Sequence, residues 1–338
     1  MNVLVTGASG FIAGYLVAEL LGHGHAVVGL DDDSKYGPVP RAFDRRPAYR
    51  HVSGDAKDVG LLTSLIDGCD HFVAGAAIIG GIDLFHARAY DLIAENERLT
   101  AAAFDAAISA HRAGHLRKIT VVSSSMVYER ATVFPTPEGH QAECPPPRST
   151  YGFQKLSTEY FAAGAWAQHG LPYTIARPFN CVGIGERRAR GVAAAASGNP
   201  RPGMGHVVPD LVKKVLLGED PLRVLGDGGQ VRCYTHGGDL ARGLRLAIER
   251  PEATNEDFNL STATPTTVRE LAGAIWRKIR GDEPRLALDA PYPHDVPRRV
   301  PDVSKARRLL GFEATTTLDE ALDEVIPWVR ERLKTGEI

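Results

Sequence analysis

Val5-Thr6-Gly7-Ala8-Ser9-Gly10-Phe11-Ile12-Ala13-Gly14 joins a short apolar run, Val3-Leu4-Val5, to a helical pattern over residues 11–22. Glycines in such a joint allow a tight turn and bring the backbone close to a pyrophosphate. The helix N-terminus adds free N–H groups and a positive dipole end. The dinucleotide fingerprint also wants an acid about 20 residues further on, for the ribose hydroxyls. Asp31 stands there, at the end of the second apolar run, with Asp32 beside it. A carboxylate in that place repels a 2′-phosphate, so the reading is NAD rather than NADP. A glycine turn can join any strand to any helix. Strand, helix, strand and acid in this order make cofactor binding the better reading. The expected contacts here are Gly7, Ser9, Gly10, Phe11, Ile12, Asp31 and Asp32.

Working outward, Ala26-Val27-Val28, His71-Phe72-Val73 and Ile119-Thr120-Val121-Val122 read as further buried strands, and Tyr173-Thr174-Ile175-Ala176 as another. They are rich in β-branched residues and lack polar alternation, which suits a parallel sheet covered on both faces. Helical patterns near 11–22, 57–66, 86–112 and 151–168 fall between them. The fold class expected is α/β, a Rossmann-type doubly wound parallel sheet with a smaller, mixed α/β C-terminal substrate domain. The division expected is 1–178 for the NAD-binding domain and 179–338 for the substrate domain, with parts of 236–262 returning to the first. Residues 183–206, rich in Gly, Ala and Arg, read as a long loop or lid. Beyond them come a helix near 208–217, strands near 223–225 and 231–235, and helices near 238–249, 267–280 and 317–334, with a helix start at Asp302-Val303-Ser304.

The 338 residues are 43% hydrophobic and 24% charged, enough to fill a sizeable core. A formal charge of -2 gives no electrostatic case for nucleic acid or an anionic membrane as partner. No apolar run approaches bilayer-spanning length. Four scattered cysteines without a CxxC pair argue against a disulfide scaffold or a zinc site, and a reducing cytoplasm is the expected location. His111 and His115 are four apart, but Gly114 intervenes and no third ligand is evident; they read as surface residues, and no metal is expected.

The catalytic pattern is Ser123-Ser124-Ser125 at a strand end, then Tyr151 and Lys155. Four apart on a helix, the last two side chains face the same way. A free phenol has a pKa near 10, and a neighbouring ammonium, with a positive nicotinamide, favours the phenolate. The expected roles are Tyr151 as acid and base, Ser124 as hydrogen-bond partner of the substrate oxygen, and Lys155 as tuner of the phenol and anchor of the ribose. Two more segments follow strand ends. On its own residues Asp55 reads as a helix cap, and Ala74-Gly75-Ala76-Ala77 has the small residues that let a dinucleotide lie across a strand.

Taken together, these pieces resemble the extended short-chain dehydrogenase/reductase family, in its branch of NAD-dependent sugar-nucleotide epimerases and dehydratases such as the UDP-glucose 4-epimerases. Ser123-Ser124-Ser125-Met126-Val127-Tyr128 is similar to that branch's SSxxVY, Tyr151-Gly152-Phe153-Gln154-Lys155 to YGxxK, and Arg177-Pro178-Phe179-Asn180 to RPFN. Gly226-Asp227-Gly228-Gly229-Gln230-Val231-Arg232 resembles GDGxQxR, and Pro301 to Phe312 resembles DxSKAxxxLGW. The resemblance covers essentially the whole chain. It implies an adenine contact at Asp55, as an alternative to its reading as a helix cap, with Ala56 beside it, and cofactor contacts at Ala74, Ala76, Asn96 and Phe179 besides those above. It implies substrate contacts at Ser125, Met126, Asn180, His206, Val207, Arg232 (the diphosphate) and Arg299, and a homodimer built through the helices near 86–112 and 151–168.

The chain also departs from these relatives in ways that bear on the reaction. The 4,6-dehydratases carry Asp-Glu after the catalytic Ser or Thr, and uronate decarboxylases keep a Glu before the VY pair; here Ser125-Met126 stands instead, and methionine cannot move a proton. Oxidation at C4, rotation of the 4-keto sugar and return of the hydride to its other face need only Tyr, Ser and NAD. Epimerisation at C4 of a nucleotide-diphosphate sugar is therefore the expected activity, with dehydratase, decarboxylase and 3,5-epimerase as alternatives. An NAD-sensing binding protein is the alternative of another class. Gly80-Gly81 resembles a loop that meets the sugar in GDP-mannose 3,5-epimerases, though an ordinary glycine turn competes. Arg187, Arg188 and Arg190 read as a solvated loop face rather than an anion clamp.

Overall fold

The computed structural model describes residues 1–79, 88–187, 206–291 and 295–338. Seven strands form one parallel sheet: β1 (Asn2–Thr6), β2 (Ala26–Asp31), β3 (Tyr49–Ser53), β4 (His71–Ala74), β5 (Lys118–Val122), β6 (Tyr173–Pro178) and β11 (Glu256–Leu260). Their order is β11-β6-β5-β4-β1-β2-β3. The chain winds to one side after β1 and to the other from β4, so the strand order reverses between β1 and β4. A crevice opens there beyond their carboxyl ends, where open α/β sheets bind ligands.

Both faces are covered, as the apolar strand runs require. Helices α1 (Phe11–Gly22), α6 (Gly237–Glu249) and α8 (Ser304–Leu310) bury one face around Val3, Val5, Leu16, Leu240 and Phe258. Helices α2 (Val59–Ile66), α3 (Ala89–Arg112) and α4 (Thr150–His169) bury the other around Leu4, Phe72, Ile119 and the alanine stripe of α3. At roughly 25 cal/mol per Å² of apolar surface, these layers supply the main driving force for the sheet. β3 is the strand expected ahead of Asp55; Tyr49-Arg50-His51-Val52-Ser53 has no apolar run because it lies at the sheet edge, half in water.

A third core belongs to the C-terminal region. Helices α5 (Val207–Leu216), α7 (Val268–Arg280) and α9 (Leu318–Thr335) pack with β8 (Leu222–Leu225), to which β13 (Leu286–Asp289) is paired, around Trp276, Val212, Leu322 and Val325. Both α7 and α9 open with capping boxes, Thr267 with Glu270 and Thr317 with Glu320. The single strand expected near 231–235 is instead two. β9 (Val231–Arg232) pairs with β12 (Thr266–Thr267) and β14 (Arg298–Arg299), while β10 (Thr235–His236) pairs with β7 (Cys181–Val182). Cys233 and Tyr234 between them are buried, and the chain passes from one small sheet to the other there. Among the described residues, no helix is long and apolar enough to cross a membrane.

Candidate active site

A cavity of about 1570 Å³ runs from the β1–α1 turn, past the ends of β4 and β5, to α5 and Arg232. At its first end the glycines do what the sequence reading required. Gly7 has φ +74°, and a Cβ there would sit 3.0 Å from the Ala76 Cα. A Cβ on Gly10 would lie 2.9 Å from the Gly7 carbonyl oxygen. No side chain caps the N-terminus of α1, so its dipole end faces the cavity. Asp31 is locked in place: one carboxylate oxygen accepts from the Ser9 N–H at 3.0 Å and the other from the Asp33 N–H at 2.8 Å. Burial raises its pKa against those two hydrogen bonds. Asp32 lies at the rim and accepts from Ser34 N–H. This cradle suits a dinucleotide: close backbone, an open helix end and a fixed acid.

Ser9, Phe11, Ile12, Asp55, Ala56 and Ala76 also line the cavity. The cap of α2 is Asp58, which accepts from Leu61 N–H at 3.0 Å, so the capping role considered for Asp55 falls three residues later. Three expected cofactor contacts do not face the main cavity. Asn96 is 1% exposed and spends its amide on Ile78, accepting from its N–H at 2.7 Å and donating to its carbonyl at 3.0 Å. It fixes the 74–79 segment from behind. Ala74 lines the same small rear void as Asn96. Phe179 is buried with its ring 6.2 Å from that of Tyr128. Gly80 and Gly81, like Arg188 and Arg190, lie outside the described residues.

At the centre, Ser123-Ser124-Ser125 follow the end of β5, and α4 carries Tyr151 and Lys155 into the same wall. Ser149 caps α4, its Oγ accepting from Gly152 N–H at 3.0 Å, which sets where Tyr151 begins the helix. Burial raises the Tyr151 phenol; a hydrogen bond with Ser124 and the charge of Arg299 oppose the rise. The lysine expected to tune this phenol is turned elsewhere, its Nζ donating to the Val122 carbonyl at 2.8 Å. Burial brings Lys155 itself down to about 8, against the pull of Glu159. Here, then, Ser124 and Arg299 act on the phenol, and Lys155 lies behind it.

Toward the far end, Asn180, His206, Val207, Arg232 and Arg299 all line the cavity with Ser125 and Met126. Arg299 donates from Nη1 to the Met126 sulfur at 3.4 Å, and burial with repulsion from Arg232 pulls its pKa down to about 9. Arg232 is nearly buried and meets Asp295 at 3.2 Å. His206 is paired with the buried Glu186 at 2.8 Å. Asn180 holds a positive φ of 35° and donates weakly to the Cys233 carbonyl. Arg187 forms an ion pair with Glu337 and so is no solvated loop residue. His115 pairs with Asp67 at the surface and His111 with the Leu116 carbonyl. Among the described residues no His, Cys, Asp and Glu group could hold a metal.

Sequence reading missed several lining groups: Lys35, Glu129 and Asp295. Glu129 accepts from both the N–H and the hydroxyl of Ser149, at 3.0 and 2.8 Å. Its place directly after the Val127-Tyr128 pair was a usable signal.

A Rossmann sheet, a pyrophosphate cradle and a Ser-Tyr-Lys wall in one cavity define a dinucleotide-dependent enzyme acting on a hydroxyl or carbonyl carbon. Residues 3–261 match the model of the NAD dependent epimerase/dehydratase family, and the chain belongs to that family. It is 27% identical to the UDP-glucose 4-epimerase of Lactobacillus helveticus, over 96% of this chain and 95% of that one. It is 26% identical to the UDP-N-acetyl-alpha-D-glucosaminuronate decarboxylase of Bacillus cytotoxicus, over 97% of each. Among solved structures, the UDP-glucose 4-epimerase of Thermotoga maritima with UDP-glucose superposes with a TM-score of 0.81 at 27% identity, covering 98% of this chain and all of that one. The chain is thus an NAD-dependent enzyme of the sugar-nucleotide epimerase/dehydratase class.

Proposed function

We propose that the chain epimerises the sugar of a nucleotide-diphosphate sugar at C4, through a transient 4-keto sugar. The observation that carries this reading is the wall itself. Tyr151 and Ser124 are hydrogen-bonded to each other, and the residue beside them, Met126, offers a thioether to Arg299 and no acid. When bound, NAD supplies the oxidising and then the reducing equivalent. Tyr151 takes the proton of the C4 hydroxyl and later returns it, and Ser124 hydrogen-bonds the same oxygen. Lys155 anchors the ribose behind them. Arg232 and Arg299, two cations that share Asp295, suit the diphosphate, with Asn180 and His206 alongside. The tether would hold the nucleotide while the keto sugar turns within the wide cavity. The Thermotoga maritima and Lactobacillus helveticus relatives support this choice.

One observation favours a second reading. Glu129 stands on the cavity wall and could supply the carboxylate that a dehydratase, decarboxylase or 3,5-epimerase needs. A panel of nucleotide-linked hexoses, uronic acids and heptoses, followed by chromatography and mass spectrometry, separates the readings. Epimerisation predicts an isomer of unchanged mass without added reductant. Loss of water or carbon dioxide would move the chain to the Glu129 reading, and no turnover with retained NAD binding to a sensor.

Asp31→Ser should weaken NAD binding by about tenfold or more, the worth of hydrogen bonds to a charged acceptor, while improving NADP binding. Titration of each cofactor against the purified variant checks this, and unchanged preference would remove Asp31 from the ribose.

A homodimer fits the paired helices α3 and α4, which expose Tyr90, Phe153, Tyr160, Phe161 and Trp166. The four free cysteines suit the reducing cytoplasm proposed for it.

A further inference from the structure

One turn beyond Lys155 on α4 stands Glu159, 5% exposed and tied on three sides. Arg177 of β6, fully buried, forks onto it with Nε and Nη2 at 2.8 Å each. Ser123, just after β5 and next to the catalytic serine, donates its hydroxyl to the same carboxylate at 2.6 Å. A carboxylate so held cannot swing away to water. Residues four apart on a helix are neighbours, so this fixed charge lies beside Lys155. We propose that Glu159 is a positioning residue: clamped by Arg177 and Ser123, its carboxylate is the standing counter-charge of the active-site lysine. The proposal rests on the reading that Lys155 serves the reaction as an ammonium.

The surrounding charges leave this role to Glu159. On its own helix Lys155 has Tyr151 and Glu159; from β5 it meets the Val122 carbonyl. The α3 side chains in the void behind it, Asn96, Leu99 and Thr100, are uncharged. Glu159 in turn faces Arg177 from β6 and, through Arg177, Asp257 of β11 and the Tyr128 hydroxyl; Asp257 is shared with Lys305 of α8. Glu159 is the group whose charge holds Lys155 up against its burial. Arg177 is shared with a second carboxylate, Asp257, at 2.6 Å, so its single charge is divided between two anions.

The test compares the NAD-loaded wild type with Glu159→Gln and Asp257→Asn. Both variants lose a carboxylate from Arg177 and should melt earlier, which is all that a structural role predicts. If Glu159 is the lysine's counter-charge, only Glu159→Gln moves the alkaline limb of kcat/KM, to lower pH by about one unit, because the amine gives up its proton sooner. Labelling of Lys155 by acetic anhydride in the NAD-free proteins, read by peptide mass spectrometry, needs no substrate. At a pH below the lysine's titration it should be about tenfold faster in Glu159→Gln. If Glu159→Gln does not fold, Glu159→Asp replaces it and should show smaller changes of the same sign. Unchanged labelling in the Glu159 variant, or an equal change in Asp257→Asn, overturns the proposal. A wild type inactive on every sugar nucleotide would sink the epimerase reading and leave the labelling comparison to judge Glu159.

Discussion

Tyr151→Phe is expected to lower kcat by about 10²–10⁴-fold while NAD retention stays as in the wild type. The ring is 7% exposed and packed into the wall, so phenylalanine fills its space and only the hydroxyl is lost. That hydroxyl is hydrogen-bonded to Ser124 and can take and return a proton; Met126 cannot, and Lys155 is turned to the Val122 carbonyl. Burial alone would hold the phenol protonated. The structure therefore asks for positive charge nearby in the working enzyme, and Arg299 already supplies part of it. Product formation on the substrate found in the panel, with cofactor content read by absorbance, checks the prediction. Near-normal turnover would remove Tyr151 from the acid–base role and bring Glu129 forward.

The sequence showed the first half of this molecule well because its strands are nearly continuous apolar runs and its helices are long. Two periodicities there point the same way as the glycine turn and Asp31. The small sheets of the second half were harder to read. β9, β10, β12 and β14 are two residues each, and no period can be read from two residues. Tyr151, Ser124 and Lys155 were legible as a spacing; the orientation of Lys155 was not, since a backbone carbonyl of β5 holds its Nζ. Asn96 shows the same limit. Its position beside the cofactor segment is visible from sequence similarity, but whether its amide faces a ligand or the Ile78 backbone depends on how the 74–79 segment folds back over α3. Glu159 was in view at four residues past Lys155, and its meaning needed Arg177, which lies beyond the next strand's start.

Arg177→Met should destabilise the fold by about 3–5 kcal/mol, the cost of breaking a buried pair by removing one partner. Arg177 is fully buried and donates to Glu159, Asp257 and the Tyr128 hydroxyl, so three polar groups lose their shared donor at once. Methionine roughly fills the space and leaves two carboxylates facing each other in a poorly solvated layer. The pH dependence identifies the cause. Burial opposes ionisation of Asp257, yet Arg177 and Lys305 hold its carboxyl below the usual range. A depressed carboxylate contributes stability above its unfolded pKa, near 4, and loses it as pH falls through the folded value. The gap between wild type and variant should therefore be widest at neutral pH and narrow below about pH 4. Denaturant unfolding at pH 7 and at about pH 3 measures both. A gap of the same size at the two pH values would mean that Arg177 acts through packing, and that the carboxylates around it, Glu159 included, are neutralised by other means.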